Sequence, residues 1–276
     1  MAAGWVAGGR RLVSGWQSYG LACWLLCLAT SACARPPQDQ PIVWQQLPSG
    51  LQYARTTTHV GPDRVSVPIH LIALHPKQFE LRVVRAQDHG QVLGEAEFFR
   101  SSVGALAAVN AGYFDPQYKP LGLLVSASKT LSRLRKVDHG VFAVAHQQAS
   151  LQHAKTYTAP ADLEFAIECG PRLVVAGEPL HFKPGSDRRV AIGTNGSGQV
   201  VIAATEGVLS LAEWAQWLAR PVTTGGAGLS DALNLDGGSS TMMALADGST
   251  AVSVRSALQV PVGIVVLPRP ASSTTL

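Results

Sequence analysis

The sequence predicts an α+β fold: mixed, largely antiparallel sheets with a few packed helices in a single domain. Three observations carry this. Apolar residues make up 46% of the chain and charged residues only 14%, the balance of a globular protein with much buried strand. Short apolar or alternating runs, closed by Gly, Pro or Asp, recur along its length. Apolar spacing of helical period occurs in two stretches only. At 276 residues the chain has ample material for a large core.

The elements follow in order. Residues 1–34 read as an export signal: Arg10-Arg11 give a positive start and Leu21 to Ala29 a short apolar run, too short to span a membrane. Thr30-Ser31-Ala32-Cys33 is similar to a bacterial lipobox with Cys33 as the lipidated residue, although Thr30 stands where leucine is usual. Ala32-Cys33-Ala34 is also a site for ordinary cleavage, and Arg10-Arg11 fits a twin-arginine signal poorly. The expected product is periplasmic or a membrane-anchored envelope lipoprotein, with no membrane contact beyond that anchor. Residues 35–41 form a stiff polar tether, 42–268 the folded domain and 269–276 a tail. Cys23, Cys27 and Cys33 fall in the signal. Cys169 therefore has no partner for an internal disulfide, and reads as a small core residue rather than a nucleophile.

Within the domain, Val65–Leu74 and Phe79–Val84 are strands split at His75-Pro76; Pro68 suggests an edge or bulge, and His70 a satisfied structural histidine. Leu93–Val103 has a helical apolar face of Leu93, Ala96, Phe99 and Val103. Ala107–Asn110, Leu121–Val125, Val141–Val144, Phe165–Cys169, Arg172–Val175, Val190–Gly193 and Val200–Thr205 are further strands, and the basic segment Lys129–Lys136 reads as a solvated loop. Ser210-Leu211-Ala212-Glu213 is a capping box opening a helix that buries Leu211, Trp214, Ala215 and Leu218 and stops near Arg220-Pro221. That helix, the Gly-rich loop Thr224–Gly228 and the next strand read as an α/β unit. Ser249–Pro268 closes the sheets. Net charge is +4, or +2 without Arg10 and Arg11, with no basic block, which excludes nucleic acid as a partner.

The stretch richest in chemistry is Ala232 to Met243. Leu233 and Leu235 alternate with Asn234 and Asp236, and Gly237-Gly238 then permits close approach to the backbone. Ser239, Ser240 and Thr241 follow as donors. A carboxylate at a strand end beside glycines and donors suits an anion or a sugar, while an Asp-Gly hairpin turn has nearly the same composition. Asn110 and Gly112, at a strand end before Tyr113-Phe114, suit a sugar equally well as a buried loop fastening. Glu168 and Glu206 are carboxylates at strand ends. Of the adjacent Arg188 and Arg189, one at most faces a given site.

Taken together these segments resemble the phosphodiester glycosidase family. The resemblance lies in Asn-Ala-Gly-Tyr-Phe at 110–114, Gly-Pro-x-Leu-Val at 170–174, Arg189 with Ala191-Ile192-Gly193, and Asn-Leu-Asp-Gly-Gly-Ser-Ser at 234–240, in the family's order. Val190 stands where that pattern has threonine. The resemblance implies an α+β fold and hydrolysis of a sugar-1-phosphodiester, releasing free sugar and a phosphomonoester. Arg189 with Gly237, Gly238, Ser239 and Ser240 would then bind the phosphate. Asp236, Glu168 and Glu206 are the candidate base or oxocarbenium stabiliser, Asp236 first because two glycines leave it least obstructed. The sequence requires no cofactor, assigns no metal ligands, and is compatible with a divalent cation on its carboxylates although it has no EF-hand loop. A non-catalytic carbohydrate-binding lipoprotein using Tyr113, Phe114 and Trp214 is the alternative. A serine hydrolase using Ser239 or Ser240 lacks a G-x-S-x-G elbow and any histidine after His181.

Overall fold

Alternating and continuous apolar runs make most of the domain into strands, and among the described residues every strand pairing is antiparallel. The structure, a computed structural model, describes Asp39 and residues 41–270; the signal and Cys33 lie outside the described residues. An eight-stranded sheet runs Gln45–Gln46, Gln52–Val60, Val65–Leu74, Val200–Thr205, Val190–Asn195, Leu229–Asn234, Arg172–Val175, Glu178–Pro179. A first five-stranded sheet runs Lys129–Ser132, Leu124–Ser126, Leu163–Cys169, Gly140–Ala145, Gln148–His153. A second runs Thr250–Val254, Met243–Asp247, Ala107–Asn110, Val262–Pro268, Phe79–Arg85.

The three sheets share one core. Ile72, Ile192, Ile202 and Leu233 of the large sheet meet Phe142, Phe165 and Ile167 of one small sheet and Val109, Met243 and Ile264 of the other. Both faces of the large sheet are covered, so its strands read as unbroken apolar runs. On its far face Ile69, Leu71, Ala191 and Ala203 pack with Trp214, Trp217 and Leu218 of the helix Leu211–Ala219. The second helix, Ala96–Ser102, lays Phe99 against Ala108, Ala244 and Val265.

The expected α+β class is met in its antiparallel sheets but not in its helical share, since these two α-helices have only 9 and 7 residues. The supposed α/β unit is likewise corrected: the strand after the Gly-rich loop pairs antiparallel with both neighbours. The helix expected from Leu93 starts at Ala96, because Gly94 exchanges both main-chain bonds with Val260 and holds the chain extended. Of the basic segment Lys129–Lys136, expected as a solvated loop, the first half is the strand Lys129–Ser132 with Leu131 turned to the core, while residues 133–136 are irregular as expected. Asp39, inside the expected tether, accepts from Thr58 Oγ1, the His59 amide and Arg220 Nη1 at 3.0, 3.1 and 2.5 Å.

Candidate active site

The strand Leu229–Asn234 delivers the candidate site. Leu233 and Leu235 are sealed in the shared core, and Asn234 donates to the carbonyls of Gly170 (3.2 Å) and Leu235 (2.7 Å). Beyond it the chain is tied down from several directions. The amide of Leu235 donates to Val190, that of Asp236 to Ala111 and that of Gly238 to Arg188, while the Ser239 carbonyl accepts from Ala257 and Leu258. Asn110 is fully buried; its Nδ2 donates to the Asp236 carbonyl at 2.6 Å and its Oδ1 accepts from the Met242 amide at 3.1 Å. The two glycines are required by contact. A Cβ on Gly237 would stand 2.7 Å from the Arg188 carbonyl, and one on Gly238, whose φ is +61°, 2.7 Å from the Asp187 carboxylate.

Asp236 is therefore held on a rigid loop with its carboxylate partly desolvated. Burial pushes its pKa above the ordinary value; bonds from the Ser240 hydroxyl and the Gly237 amide oppose this, and nearby Asp187 adds to it. The carboxylate acting on Asp236 is thus Asp187, on the two-residue strand Ser186–Asp187. Arg189 comes from the same segment. Its Nε donates to Leu209 (3.1 Å) and its Nη2 to Gly185 (2.9 Å), while Nη1 lies against Gly237. Arg188 donates to the Arg255 carbonyl at 2.8 Å. Burial lowers the pKa of both arginines, and Asp187 raises both. Tyr113 lies in the field of both Asp236 and Arg189; its hydroxyl donates to Gly170, and burial pushes its pKa up. Cys169 is enclosed under this cluster, its thiol pushed up to about 12 by burial, which leaves it an inert packing group.

The other candidates are placed as follows. Glu168 is buried; its Oε2 accepts from the amides of Leu123 and Arg135, both at 2.9 Å, and its Oε1 stands 3.6 Å from His139 Nδ1. Gly112 packs over the Glu168 carbonyl, where a Cβ would come within 3.0 Å. Glu206 is 41% exposed and bonded to His70 Nε2 (2.6 Å) and Arg55 (3.2 Å); His70 Nδ1 meets the Tyr53 hydroxyl at 2.8 Å. Of the amides from Gly238 to Thr241, those of Gly238, Ser240 and Thr241 are spent on carbonyls, and Ser239 remains exposed. Trp214, weighed as a sugar-stacking ring, is withdrawn from any ligand: it stacks on Trp217 with centroids 5.4 Å apart in the core. Tyr113, expected as a sugar-stacking ring of the binding-protein alternative, stands at the site, whereas Asp187 was not singled out in the sequence; its signal was its place two residues before Arg189. No group of three His, Cys, Asp or Glu suited to a metal occurs among the described residues, and no described helix is long and apolar enough to cross a membrane.

In this antiparallel β fold Asp236, Asp187, Arg189 and Tyr113 thus gather around the Gly237-Gly238 loop. Residues 103–267 match the profile of the phosphodiester glycosidase family, and the chain belongs to that family. The fold is similar to the catalytic domain of zebrafish N-acetylglucosamine-1-phosphodiester alpha-N-acetylglucosaminidase, a structure described as auto-inhibited by its pro-peptide. The TM-score is 0.64 at 16% identity, over 83% of this chain and 89% of that one. A hypothetical protein from Synechocystis gives a TM-score of 0.60 at 16% identity, over 83% of this chain and 64% of that one, so this chain spans under two thirds of it. A protein of Burkholderia pseudomallei K96243, named as a candidate exported protein, gives 0.52 at 13% identity over 74% and 75%. A search of curated proteins finds no match.

Proposed function

We propose that the protein is an exported hydrolase that cleaves the bond between an anomeric carbon and phosphate in a sugar-1-phosphodiester of envelope or extracellular glycans. The observation that carries this is Asp236: a carboxylate whose pKa burial raises, fixed by a loop that only glycines allow, with Arg189 Nη1 lying against the next residue, Gly237. Water attacks the anomeric carbon, the bond to the phosphate oxygen breaks, and free sugar leaves with a phosphomonoester. That leaving group is a stable anion, so protonating it matters less than for an ordinary glycoside. The remaining needs are anion binding, stabilisation of the oxocarbenium-like transition state and activation of water. Asp236 serves the last two. Arg189 Nη1 and the Ser239 donors face the phosphate, with Gly237 and Gly238 leaving room for it and Ser240 orienting Asp236. Asn110 and Gly112 act through the loops they shape. Glu168 supports the same site by fixing the Leu123 and Arg135 backbone, and Glu206 by fixing His70 and Arg55. Glycan or sugar phosphate is the only partner this chemistry needs, and membrane contact comes through lipidation of Cys33. The purified protein should release both sugar and phosphomonoester from a methyl sugar-1-phosphodiester. Absence of turnover across sugar epimers, with sugar binding retained, would favour the binding-protein alternative.

A further inference from the structure

A sizeable cavity of the molecule lies away from Asp236. It has a volume of about 740 Å³ and lies between the segment Arg85–Val92 and the loop Gln117–Pro120, with Val262 in its wall. Its lining is neither a closed apolar core nor a network of satisfied polar groups. The side chains of Gln87, Gln91 and Gln117 and the ammonium of Lys119 have no hydrogen-bond partner among the described residues. Tyr118 is 44% exposed and held at φ +62°, a conformation a tyrosine adopts only under constraint. That constraint is visible: Asp115 Oδ1 accepts the amides of both Gln117 and Lys119 at 2.9 Å, and the Tyr118 amide donates to the Asp115 carbonyl. Uncommitted amides around an exposed aromatic ring are the chemistry that reads sugar hydroxyls and covers C–H faces. An uncommitted ammonium adds a place for one anionic group.

The cavity is also joined to Asp236 by short main-chain links. The Asp236 amide donates to Ala111 and the Ala111 amide to Val262, so two successive bonds lead from the catalytic loop to the cavity wall. The loop from Tyr113 to Pro120 has its first residue at the site and its tip in the cavity. We propose that this cavity is a second saccharide subsite. It holds the substrate beyond the scissile bond, with the glycan on Tyr118 and the glutamine amides and a further phosphodiester of the same chain on Lys119. Resting on the function proposed above, this makes the substrate a repeating sugar–phosphate chain rather than a single diester.

The test uses non-hydrolysable phosphonate analogues of one and of four sugar–phosphate repeats, with a neutral tetrasaccharide of the same sugar, titrated calorimetrically into the wild-type protein and into Gln117→Ala, Lys119→Ala and Gln91→Ala. All three positions are exposed, so melting curves should stay unchanged. The four-repeat analogue should bind the wild type at least tenfold more tightly than the single repeat. Lys119→Ala and Gln117→Ala should remove that advantage while leaving single-repeat binding intact, and added salt should weaken only the four-repeat analogue's advantage in the wild type. Equal affinity for both analogues, or an advantage that survives all three substitutions, overturns the subsite. If neither analogue binds but the tetrasaccharide does so in a Gln117- and Gln91-dependent way, the subsite stands and the phosphodiester glycosidase reading falls. If no saccharide binding depends on these residues, the subsite falls whatever the activity.

Discussion

A raised pKa on Asp236 has opposite consequences for activity and stability. Because the folded state holds this proton more tightly than the unfolded chain does, stability falls as pH rises from the unfolded value of 3.8 through the folded one. Asp236→Asn removes that cost while keeping size and most hydrogen bonding. The expected outcome is loss of turnover with a melting temperature at pH 7 equal to or above wild type, the difference shrinking as pH falls below the folded pKa. A variant that melts early and is inactive would show instead that the charge serves only the turn. Arg189→Lys keeps charge but cannot donate to Leu209 and Gly185 while also presenting Nη1 at Gly237. Losing one charge-assisted bond to the phosphate costs about 1.5–3 kcal/mol, so kcat/KM should drop about 10- to 150-fold. Kinetics like wild type in a folded Arg189→Lys protein would place the arginine outside the phosphate site. Gly238→Ala should be inactive and less stable by about 1–2 kcal/mol, because a side chain at φ +61° is strained and would strike Asp187. Thermal melts beside initial rates check both halves of that statement.

At the scale of elements, the helix Leu211–Ala219 shows what sequence can specify. Its Ser210–Glu213 capping box forms in full: the Ser210 hydroxyl accepts from the Glu213 amide at 3.2 Å and the Glu213 carboxylate from the Ser210 amide at 2.8 Å. Ser210→Ala should cost about 1 kcal/mol, read as a lowered denaturation midpoint with unchanged slope. Trp214 buries its ring but leaves its indole N–H without a partner among the described residues. Trp214→Phe removes that unmet donor and should be tolerated far better than Trp214→Ala, for which about 3–5 kcal/mol is expected. Strands with strong apolar runs were equally legible: Val65–Leu74 has the extent the sequence predicts, and Leu233 and Leu235 face the core as their alternation requires. Legibility stopped where local pattern is silent. Gly94 looks like part of a helix until Val260 pairs with it, and the strand Lys129–Ser132 is defined by its partner rather than by its own charges. Asp187 escaped notice because a two-residue strand carries no periodicity. Glu168 looked like an open strand-end carboxylate, and only the folded loops at Leu123 and Arg135 reveal that they enclose it.

For the whole molecule, the residue that fastens the domain's leading edge is Asp39. Burial works to raise its pKa, yet bonds from His59, Arg220 and Thr58 hold it below the ordinary 3.8. A carboxylate depressed in the folded state contributes stability that is complete above the unfolded value and is lost as pH falls through the folded one. The melting temperature of Asp39→Asn should therefore lie below wild type near neutrality and converge with it in acid. A constant gap at all pH values would assign the effect to packing against Gly225, where Asp39 also sits. These same bonds reach two elements far apart in sequence, the strand Gln52–Val60 of the large sheet and the end of the helix Leu211–Ala219 packed on its far face. The arrangement therefore has a mechanical reading. Tension drawn through the chain ahead of Asp39 is delivered at a single bolted point and shared between sheet and helix. The pull reaches the strand Gln45–Gln46 only after the bonds to Thr58, His59 and Arg220 have given way.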